Sequence, residues 1–369
     1  MKKELRQKVL LFLILFGLLV MGLLSLFVPK NNFSVRERRV LSNPPSNLSL
    51  TDWTFKDDLE NYISDRLPMR TLLISLNGTY DLALGRRVQQ DVWPVQGMLI
   101  EKPVVVRQEL LLRRLSLLSD LCEEHRLPVQ IMVIPSAGAV MQPHMPFHLA
   151  QEYASERNAH VTLDNFPDVI PMNKLLCSNP QDTYFATDHH WNLNGAYLAY
   201  ESYCDKNKLS PFPLSDYQLI EFENFMGSTF SRSGLFIWTQ DTLRCAQPKD
   251  PIHFTILDSE ESIYDTMIFE ENRYSWDPYT IFLKGNHGMA VIENTSAPDG
   301  HLLVFKDSFA NTLLPLLSAH YNRITIVDLR YYAGTFSDAI TATNAPDQIL
   351  FCLSMDSLLN DTTLVRKLK

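Results

Sequence analysis

A serine that follows a buried strand is the first candidate for chemistry. Residues 302–305 are apolar and lead into Lys306-Asp307-Ser308, and an apolar run from Phe309 to Ala319 follows. This pattern predicts a strand, a sharp turn that carries the serine, and a helix. The hydroxyl of Ser308 would therefore lie near a helix N-terminus, where developing negative charge is stabilised. A nucleophile and a simple N-cap both fit this position, because serine is a common capping residue.

Two adjacent histidines beside an aspartate form the second candidate, in the run Asp188-His189-His190-Trp191. Imidazole and carboxylate groups are common metal ligands, but neighbouring side chains rarely bind one ion together, and no HExxH motif accompanies them. Alternatively, Asp188 caps the next helix and His190 is a core residue. In a third interpretation, one histidine takes a proton from a nucleophile and Asp188 fixes its tautomer. That chemistry requires a serine from another strand end, and Ser308 is the best placed.

An open α/β sheet is the arrangement that can bring these candidates together. A leucine-rich amphipathic helix over residues 106–125 precedes the apolar strand 129–134, an order typical of a parallel sheet covered by helices. Ligand loops usually lie at the carboxyl ends of such strands, so Ser308 would lie at that edge. The other predicted elements are helices at 53–66, 71–84, 193–203 and 337–343, strands at 323–329 and 348–353, a hairpin at 92–100, a strand and short helix within 161–177, a loop with strands at 225–234, and a β-type run at 279–283.

The N-terminus predicts a membrane anchor. Basic residues dominate positions 1–8, and residues 9–28 form an uncharged apolar run long enough to span the hydrocarbon core as a helix. The positive flank is expected in the cytoplasm and the rest outside. A cleaved signal peptide is the alternative, but no convincing small-x-small cleavage site follows the run. We therefore expect a cytoplasmic tail over 1–8, a transmembrane signal anchor over 9–28, a membrane-proximal helical region over 31–96, and an α/β domain over 97–369 with an irregular insertion around 211–300.

Composition excludes several classes of function. The 369-residue chain has 46% hydrophobic residues, enough for a substantial core, and a net charge of −9. This charge argues against nucleic-acid binding, which needs a basic face. The five cysteines are scattered without CxxC or Cys/His spacing, so a structural zinc site is not expected. One or two disulfides remain open outside the cytosol.

Several motifs together resemble the DHHW protein family and, more distantly, the SGNH-hydrolase-like domains of the alginate O-acetyltransferase proteins. These motifs are Asp188-His-His-Trp191, Lys306-Asp-Ser-Phe309, Asp328-Leu-Arg-Tyr-Tyr332, Arg36–Pro45 and Leu59–Arg70. Their order and spacing are more specific than any one of them, and the resemblance covers most of residues 34–355. It implies an α/β fold of the SGNH-hydrolase-like (flavodoxin-like) type, a three-layer sandwich with a mainly parallel sheet.

The resemblance also implies roles for individual residues. Ser308 would be the nucleophile, His190 the general base, and Asp188 the partner that orients His190, while His189 occupies a variable position. The order of these residues along the chain is reversed from that of ordinary SGNH hydrolases, but triads are defined by geometry. Lys306 departs from the pattern, because ordinary SGNH enzymes have glycine there. Weak or absent catalysis is consistent with that change.

Other residues are candidates for contacts with the substrate. Asn286 could donate to an oxyanion, as an asparagine does in the family fold, or simply form a turn with Gly285. Arg330 ends a predicted strand and would either bind a polar substrate group or pair with an acid. Tyr331 and Trp191 would either stack on sugars or pack in the core.

These inferences predict a membrane-anchored, extracytoplasmic O-acetyltransferase or acetylesterase that acts on a cell-envelope polysaccharide through a Ser308-His190-Asp188 triad, with no metal or soluble cofactor. The resemblance favours transfer over hydrolysis and implies a multi-pass membrane O-acyltransferase as a partner. The alternative is a non-catalytic polysaccharide-binding or assembly protein with the same fold, which Lys306 favours. A metal-dependent hydrolase is the third hypothesis.

Overall fold

The structure is a computed structural model that divides into two compact units. The first comprises Met1–Gln89 and Ser231–Trp238, and the second comprises Gln90–Phe230 and Thr239–Lys369. The residues that it describes are 2–25, 32–34, 36–45, 53–177, 179–258, 260–343 and 345–368.

The first unit begins with a long apolar helix, α1 (Lys2–Ser25). Its stretch Leu5–Ser25 is long and apolar enough to cross a membrane, although a signal sequence near an N-terminus satisfies the same criterion. The last three residues of the predicted anchor lie outside the described residues. The short strands β1 (Phe33–Ser34) and β2 (Arg39–Val40) pair antiparallel, and the helices α2 (Trp53–Asp65) and α3 (Arg70–Ala83) confirm the two helices predicted here.

A seven-stranded sheet forms the centre of the second unit. The strands of this unit are β3 (Trp93–Val95), β4 (Met98–Ile100), β5 (Val129–Ile134), β6 (Tyr217–Phe225), β7 (Asp241–Pro248), β8 (His253–Leu257), β9 (Glu261–Tyr264), β10 (Met289–Glu293), β11 (His301–Lys306), β12 (Arg323–Val327) and β13 (Gln348–Ser354). In the seven-stranded sheet they lie in the order β5-β13-β11-β12-β10-β8-β9, and the first four of these are parallel, while the last three extend the sheet with antiparallel pairings. Two antiparallel pairs, β3 with β4 and β6 with β7, form separate two-stranded sheets.

Residues of the helices pack with the parallel strands in hydrophobic clusters. Alternate residues of a strand point to opposite faces, and they fall into two hydrophobic clusters: Val304 of β11 belongs to one cluster, and Phe305 belongs to the other. This architecture confirms the predicted α/β class and the predicted strands around Ser308. The remaining helices along the chain are α4 (Gln108–Glu124), α5 (Ala137–Met141), α6 (Phe147–Leu163), α7 (Asn173–Cys177), α8 (Pro180–Thr183), α9 (Leu193–Asn207), α10 (Ser228–Ser233), α11 (Ala310–Leu317), α12 (Phe336–Ala342), α13 (Met355–Asn360) and α14 (Thr362–Lys367).

Three local predictions were wrong. The segment after Val161, where a strand was expected, is instead the end of α6, because the buried residues of this helix recur at helical spacing. The β-structure that follows it is an isolated bridge between Val169 and Ile131. The loop with strands expected at 225–234 contains α10. The β-type run at 279–283 begins with the 3-10 helix Pro278–Ile281, because the Asp277 side chain accepts a hydrogen bond from a backbone N–H of the first turn and proline stands at its start. The five cysteines are free.

Candidate active site

The turn after β11 holds Ser308 at the carboxyl end of the parallel strands. The carboxylate of Asp307 fixes this turn, because it accepts hydrogen bonds from the backbone N–H of Phe309 (3.0 Å) and from that of Ser354 at the end of β13 (2.8 Å). Buried Asp307 has a lowered pKa: burial alone would raise it, but the charge of Arg330 and the hydrogen bonds from Ser354 and Ser357 outweigh that effect. Ser308 is thus placed between two neighbouring strand ends.

His190 joins Ser308 to Asp188. The Nε2 atom of His190 lies 2.7 Å from the Ser308 Oγ atom, and its Nδ1 atom lies 2.6 Å from the Asp188 Oδ1 atom. Because a carboxylate only accepts hydrogen bonds, Nδ1 carries the proton and Nε2 accepts from the serine hydroxyl. The following helix, α9, is capped by Asn192, which accepts from the backbone N–H groups of Asn194 and Gly195. The structure therefore brings together the three residues predicted to form a triad, although His190 and Asp188 precede Ser308 by 118 and 120 positions in the sequence.

A second chain segment supports the buried carboxylate of Asp188. Its Oδ2 atom accepts from the backbone N–H of Ser228 (2.6 Å), and its Oδ1 atom accepts from the backbone N–H of His190 (3.0 Å). Burial would raise the pKa of Asp188, but the nearby histidines and these hydrogen bonds hold it well below its usual value. Gly227 packs so closely that an added Cβ would lie 2.2 Å from the Asp188 Cβ atom. The position of Asp188 thus depends on a glycine and a backbone amide that the sequence analysis did not identify.

The imidazole of His190 is held among three rings. The Tyr279 ring is stacked on it at a centroid distance of 3.8 Å, and the His189 and Phe309 rings lie 3.8 Å and 4.8 Å away. Burial and the charge of His189 together lower the pKa of His190 to about 4, against the opposing effect of Asp188. His190 is therefore neutral near pH 7, which is the state that accepts a proton. The sequence contained a signal for Tyr279 in the capping pair Asp277-Pro278, which predicts a helical turn there.

The side chain of Lys306 is buried beneath the turn and is not part of it. Its Nζ atom donates to the Oδ1 atoms of Asn286 (2.8 Å) and Asn311 (2.6 Å). Among the described residues with a positive φ, none is Lys306, Asp307 or Ser308, so the turn has no conformational need for glycine. Burial lowers the pKa of Lys306 to about 8, which leaves it mainly charged at neutral pH.

Lys306 also determines how Asn286 is oriented. A lysine ammonium has donors and no acceptor, so the side-chain oxygen of Asn286 must face Lys306 and its NH₂ group must point elsewhere. Through Lys306, the predicted oxyanion donor Asn286 is connected to β11, which precedes Ser308, and to α11, which follows it. Its role as a donor stays a prediction.

The other predicted contacts have different outcomes. Arg330 binds the buried carboxylate of Asp328 with two hydrogen bonds of 2.8 and 2.6 Å, which is the acid-pairing alternative. Trp191 is fully buried and donates to the Phe309 carbonyl (3.0 Å), which is the core-packing alternative. Tyr331 is 59% exposed, and its role as a platform stays a prediction.

The metal hypothesis places an ion among Asp188, His189 and His190, whose ligand atoms lie within 4.8 Å of one another. The donor atoms do not suit an ion in this arrangement, because the Asp188 oxygen and the His190 Nδ1 atom are hydrogen-bonded to each other at 2.6 Å. The Nδ1 atom of His189 is likewise 2.8 Å from the Ser228 hydroxyl. A metal would have to break these hydrogen bonds to bind.

Comparisons with known proteins agree with the motifs. The family model described as DHHW protein matches residues 171–327, which confirms the resemblance inferred from the sequence. A DHHW family protein from Eubacterium siraeum is 21% identical with a TM-score of 0.58, covering 74% of this chain and 92% of that one. PatB1 of Bacillus cereus, solved with a sulfonyl adduct, is 23% identical with a TM-score of 0.60, covering 74% and 97%. These similarities establish the fold.

A weaker match is the O-acetyltransferase domain of Pseudomonas putida AlgJ, which is 14% identical with a TM-score of 0.35 and covers 72% of this chain and 90% of that domain. At this TM-score the likeness does not establish a shared fold. No curated protein sequence matches the chain significantly.

Proposed function

Taking residues 171–327 as a DHHW family region, we propose that the chain is a membrane-anchored, extracytoplasmic serine O-acetyltransferase or acetylesterase that acts on a cell-envelope polysaccharide. The observation that carries this proposal is the continuous hydrogen-bond chain from Ser308 through His190 to Asp188. The anchor is the apolar helix α1. The finer fold, a three-layer flavodoxin-like sandwich, is supported by the two hydrophobic clusters on opposite faces of the sheet.

The first half of the reaction forms an acyl-enzyme. His190 Nε2 takes the hydroxyl proton of Ser308 as the Oγ atom attacks the carbonyl carbon of an acetyl ester. Asp188 stabilises the resulting imidazolium. The tetrahedral oxyanion needs donors, and the NH₂ group of Asn286 and the backbone N–H of Ser308 are the candidates. The imidazolium then protonates the departing alcohol oxygen, and the acetyl group stays on Ser308.

The second half returns Ser308 to its starting state. A sugar hydroxyl, or water, gives its proton to His190 Nε2 and attacks the acetyl carbon. The Oγ atom of Ser308 leaves and recovers the proton. With a sugar hydroxyl as acceptor the product is an O-acetylated glycan, and with water it is acetate. The acetyl donor would be supplied by a multi-pass membrane O-acyltransferase, as the family resemblance implies.

The direct test is turnover of p-nitrophenyl acetate by the full chain in detergent micelles. We expect Ser308→Ala and His190→Ala to lose turnover by roughly 10³-fold or more, because residues of a triad act as a unit. The matched control is Ser136→Ala, since Ser136 also caps a helix after a strand but donates its hydroxyl to the Glu156 carboxylate (2.6 Å). Wild-type turnover no faster than that of Ser308→Ala would leave the non-catalytic binding protein as the function.

A further inference from the structure

A groove of about 530 Å³ lies in the second unit between β6 and two 3-10 helices, Glu270–Tyr274 and Pro278–Ile281. Its lining combines rings with hydrogen-bonding groups: Phe222, Glu223, Asn224, Arg273, Tyr274 and Pro278 are among the residues that form it. The mechanism above makes no use of this groove.

One wall of the groove leads directly to His190. Pro278 and Ile281 both line the groove, and residues three apart share one side of a 3-10 helix. Tyr279 comes from a different side of the same helix, and its ring is stacked on His190. The hydroxyl of Tyr279 also lies 2.8 Å from that of Thr312 in α11, the helix that follows Ser308. This short helix therefore lines the groove with two of its residues and contacts His190 with a third.

The opposite wall leads to Asp188. Strand β6 ends at Phe225, which lines the groove and packs against Phe185 at a ring-centroid distance of 5.1 Å. Two residues farther on, Gly227 packs against Asp188, and the backbone N–H of Ser228 donates to its carboxylate. Both walls thus continue into the segments that hold the triad, so the groove adjoins the site.

The groove offers the chemistry that a sugar chain requires. Tyr274 is 79% exposed, and the guanidinium of Arg273 lies over the rings of Tyr274 and Phe222, 4.4 and 5.7 Å from their centroids. Aromatic faces bind the apolar C–H face of a pyranose, and Glu223, Asn224 and Arg273 can accept from or donate to its hydroxyls.

The charge of the groove favours a neutral ligand. Glu221 is paired with Arg244 through a 2.8 Å contact. The remaining charges that line the groove, on Glu223 and Arg273, are opposite in sign. There is no net positive charge that would attract a polyanion.

We propose that this groove binds neutral pyranose units of a glycan chain, with Tyr274 as the stacking platform, and so holds the chain beside Ser308. This inference rests on the proposed function, because it identifies where the polysaccharide acceptor binds. Arg273 fixes the platform by packing against its ring. Tyr274 is a binding residue and takes no part in proton transfer.

The test measures binding of cellohexaose and of N-acetylchitohexaose to the full chain in detergent micelles by titration calorimetry. We expect at least one of the two to bind the wild type and Ser308→Ala equally. Tyr274→Ala should weaken that binding about tenfold, since exposed aromatic anchors carry much of the affinity of such sites. Tyr274→Phe keeps the ring and should retain binding. Phe147→Ala, at a ring that is 78% exposed but outside the groove, is the matched control and should bind as the wild type does.

Two results overturn the inference: neither oligosaccharide binds the wild type, or Tyr274→Ala binds as tightly as the wild type. Turnover of p-nitrophenyl acetate, an ester too small to need the groove, tests the role of Ser308 separately from glycan binding. If Ser308→Ala keeps that turnover while Tyr274→Ala loses glycan binding, the proposed enzyme activity fails and the glycan groove stands.

Discussion

The imidazole of His190 lies parallel to the phenol ring of Tyr279, with an angle of 2° between the planes and 3.8 Å between the centroids. The hydroxyl of Tyr279 reaches Thr312 in α11, so the ring is fixed to the helix that follows Ser308. Tyr279 therefore holds the imidazole at the angle at which Nε2 meets the serine hydroxyl. It is a positioning residue in the proposed mechanism.

Replacing Tyr279 by leucine should lower kcat by about 10- to 100-fold with little change in KM, because small misplacements of a reacting group are costly. Tyr279→Phe keeps the stacked ring and should stay near wild-type kcat, although losing the Thr312 hydrogen bond should cost about 1 kcal/mol of stability. Steady-state kinetics with p-nitrophenyl acetate and thermal unfolding measure both effects. Equal kcat values for the leucine and phenylalanine variants would show that the stacked ring is not needed.

Gly227→Ala should disable the site through Asp188. The new Cβ would lie 2.5 Å from the Asp188 Oδ2 atom and 2.6 Å from the Thr187 carbonyl oxygen, so the carboxylate or the turn must move. We expect kcat to fall on the order of 100-fold and stability to fall by about 1–3 kcal/mol. The control is Gly78→Ala in α3, where the nearest atom would be 3.4 Å away. Full activity of Gly227→Ala would contradict the proposed support of Asp188.

Activity should persist at mildly acidic pH. The pKa of His190 is lowered to about 4 by burial and by the charge of His189. The base therefore stays neutral as pH falls through the ordinary histidine value near 6.5 and is lost only near pH 4. Removing the charge of His189 favours the imidazolium form of His190 and raises its pKa. His189→Gln should therefore move the acid limb of kcat/KM to higher pH. An acid limb near pH 6.5 in the wild type, unchanged by His189→Gln, would be inconsistent with this environment.

Lys306→Met should reduce activity through Asn286. Methionine matches the buried stem but removes the ammonium that donates to the Asn286 and Asn311 oxygens, and it leaves Asn286 with the longer 3.3 Å hydrogen bond from Asn311. Losing one oxyanion donor costs about 10²–10³ in kcat, so we expect a loss of up to that size. Because both changes act on one donor, the double variant with Asn286→Ala should be no slower than Asn286→Ala alone. Additive losses of kcat in the double variant would show that Lys306 acts independently of Asn286.

Much of the second unit was predictable because its helices and strands have regular apolar spacing. The strand before Ser308 and the helix after it were both expected, and β11 and α11 match them. Irregular segments were harder to predict. The 3-10 helix Pro278–Ile281, for example, has aromatic and β-branched residues, which also favour a strand. The antiparallel strands β8 and β9 likewise lie in a region that the sequence marked only as irregular.

The proximity of Ser308, His190 and Asp188 was inferred from motifs because each lies in a recognisable run. Tyr279, Gly227 and Ser228 were not identified, because their importance comes from contacts with residues far away in the sequence. The meaning of Lys306 also changed. In the sequence, a lysine in place of the usual glycine favoured a loss of catalysis. In the structure, its buried side chain lies outside the turn and donates a hydrogen bond to Asn286. Only the direction of a side chain could distinguish these alternatives.

The central claim is that Ser308 is a nucleophile activated by His190. The most direct measurement is labelling of the full chain with phenylmethanesulfonyl fluoride, followed by mapping of the modified residue by mass spectrometry. We expect a single sulfonyl adduct on Ser308 that is absent in Ser308→Ala and much slower to form in His190→Ala. Lack of labelling, or labelling that maps elsewhere and persists in Ser308→Ala, would contradict the account.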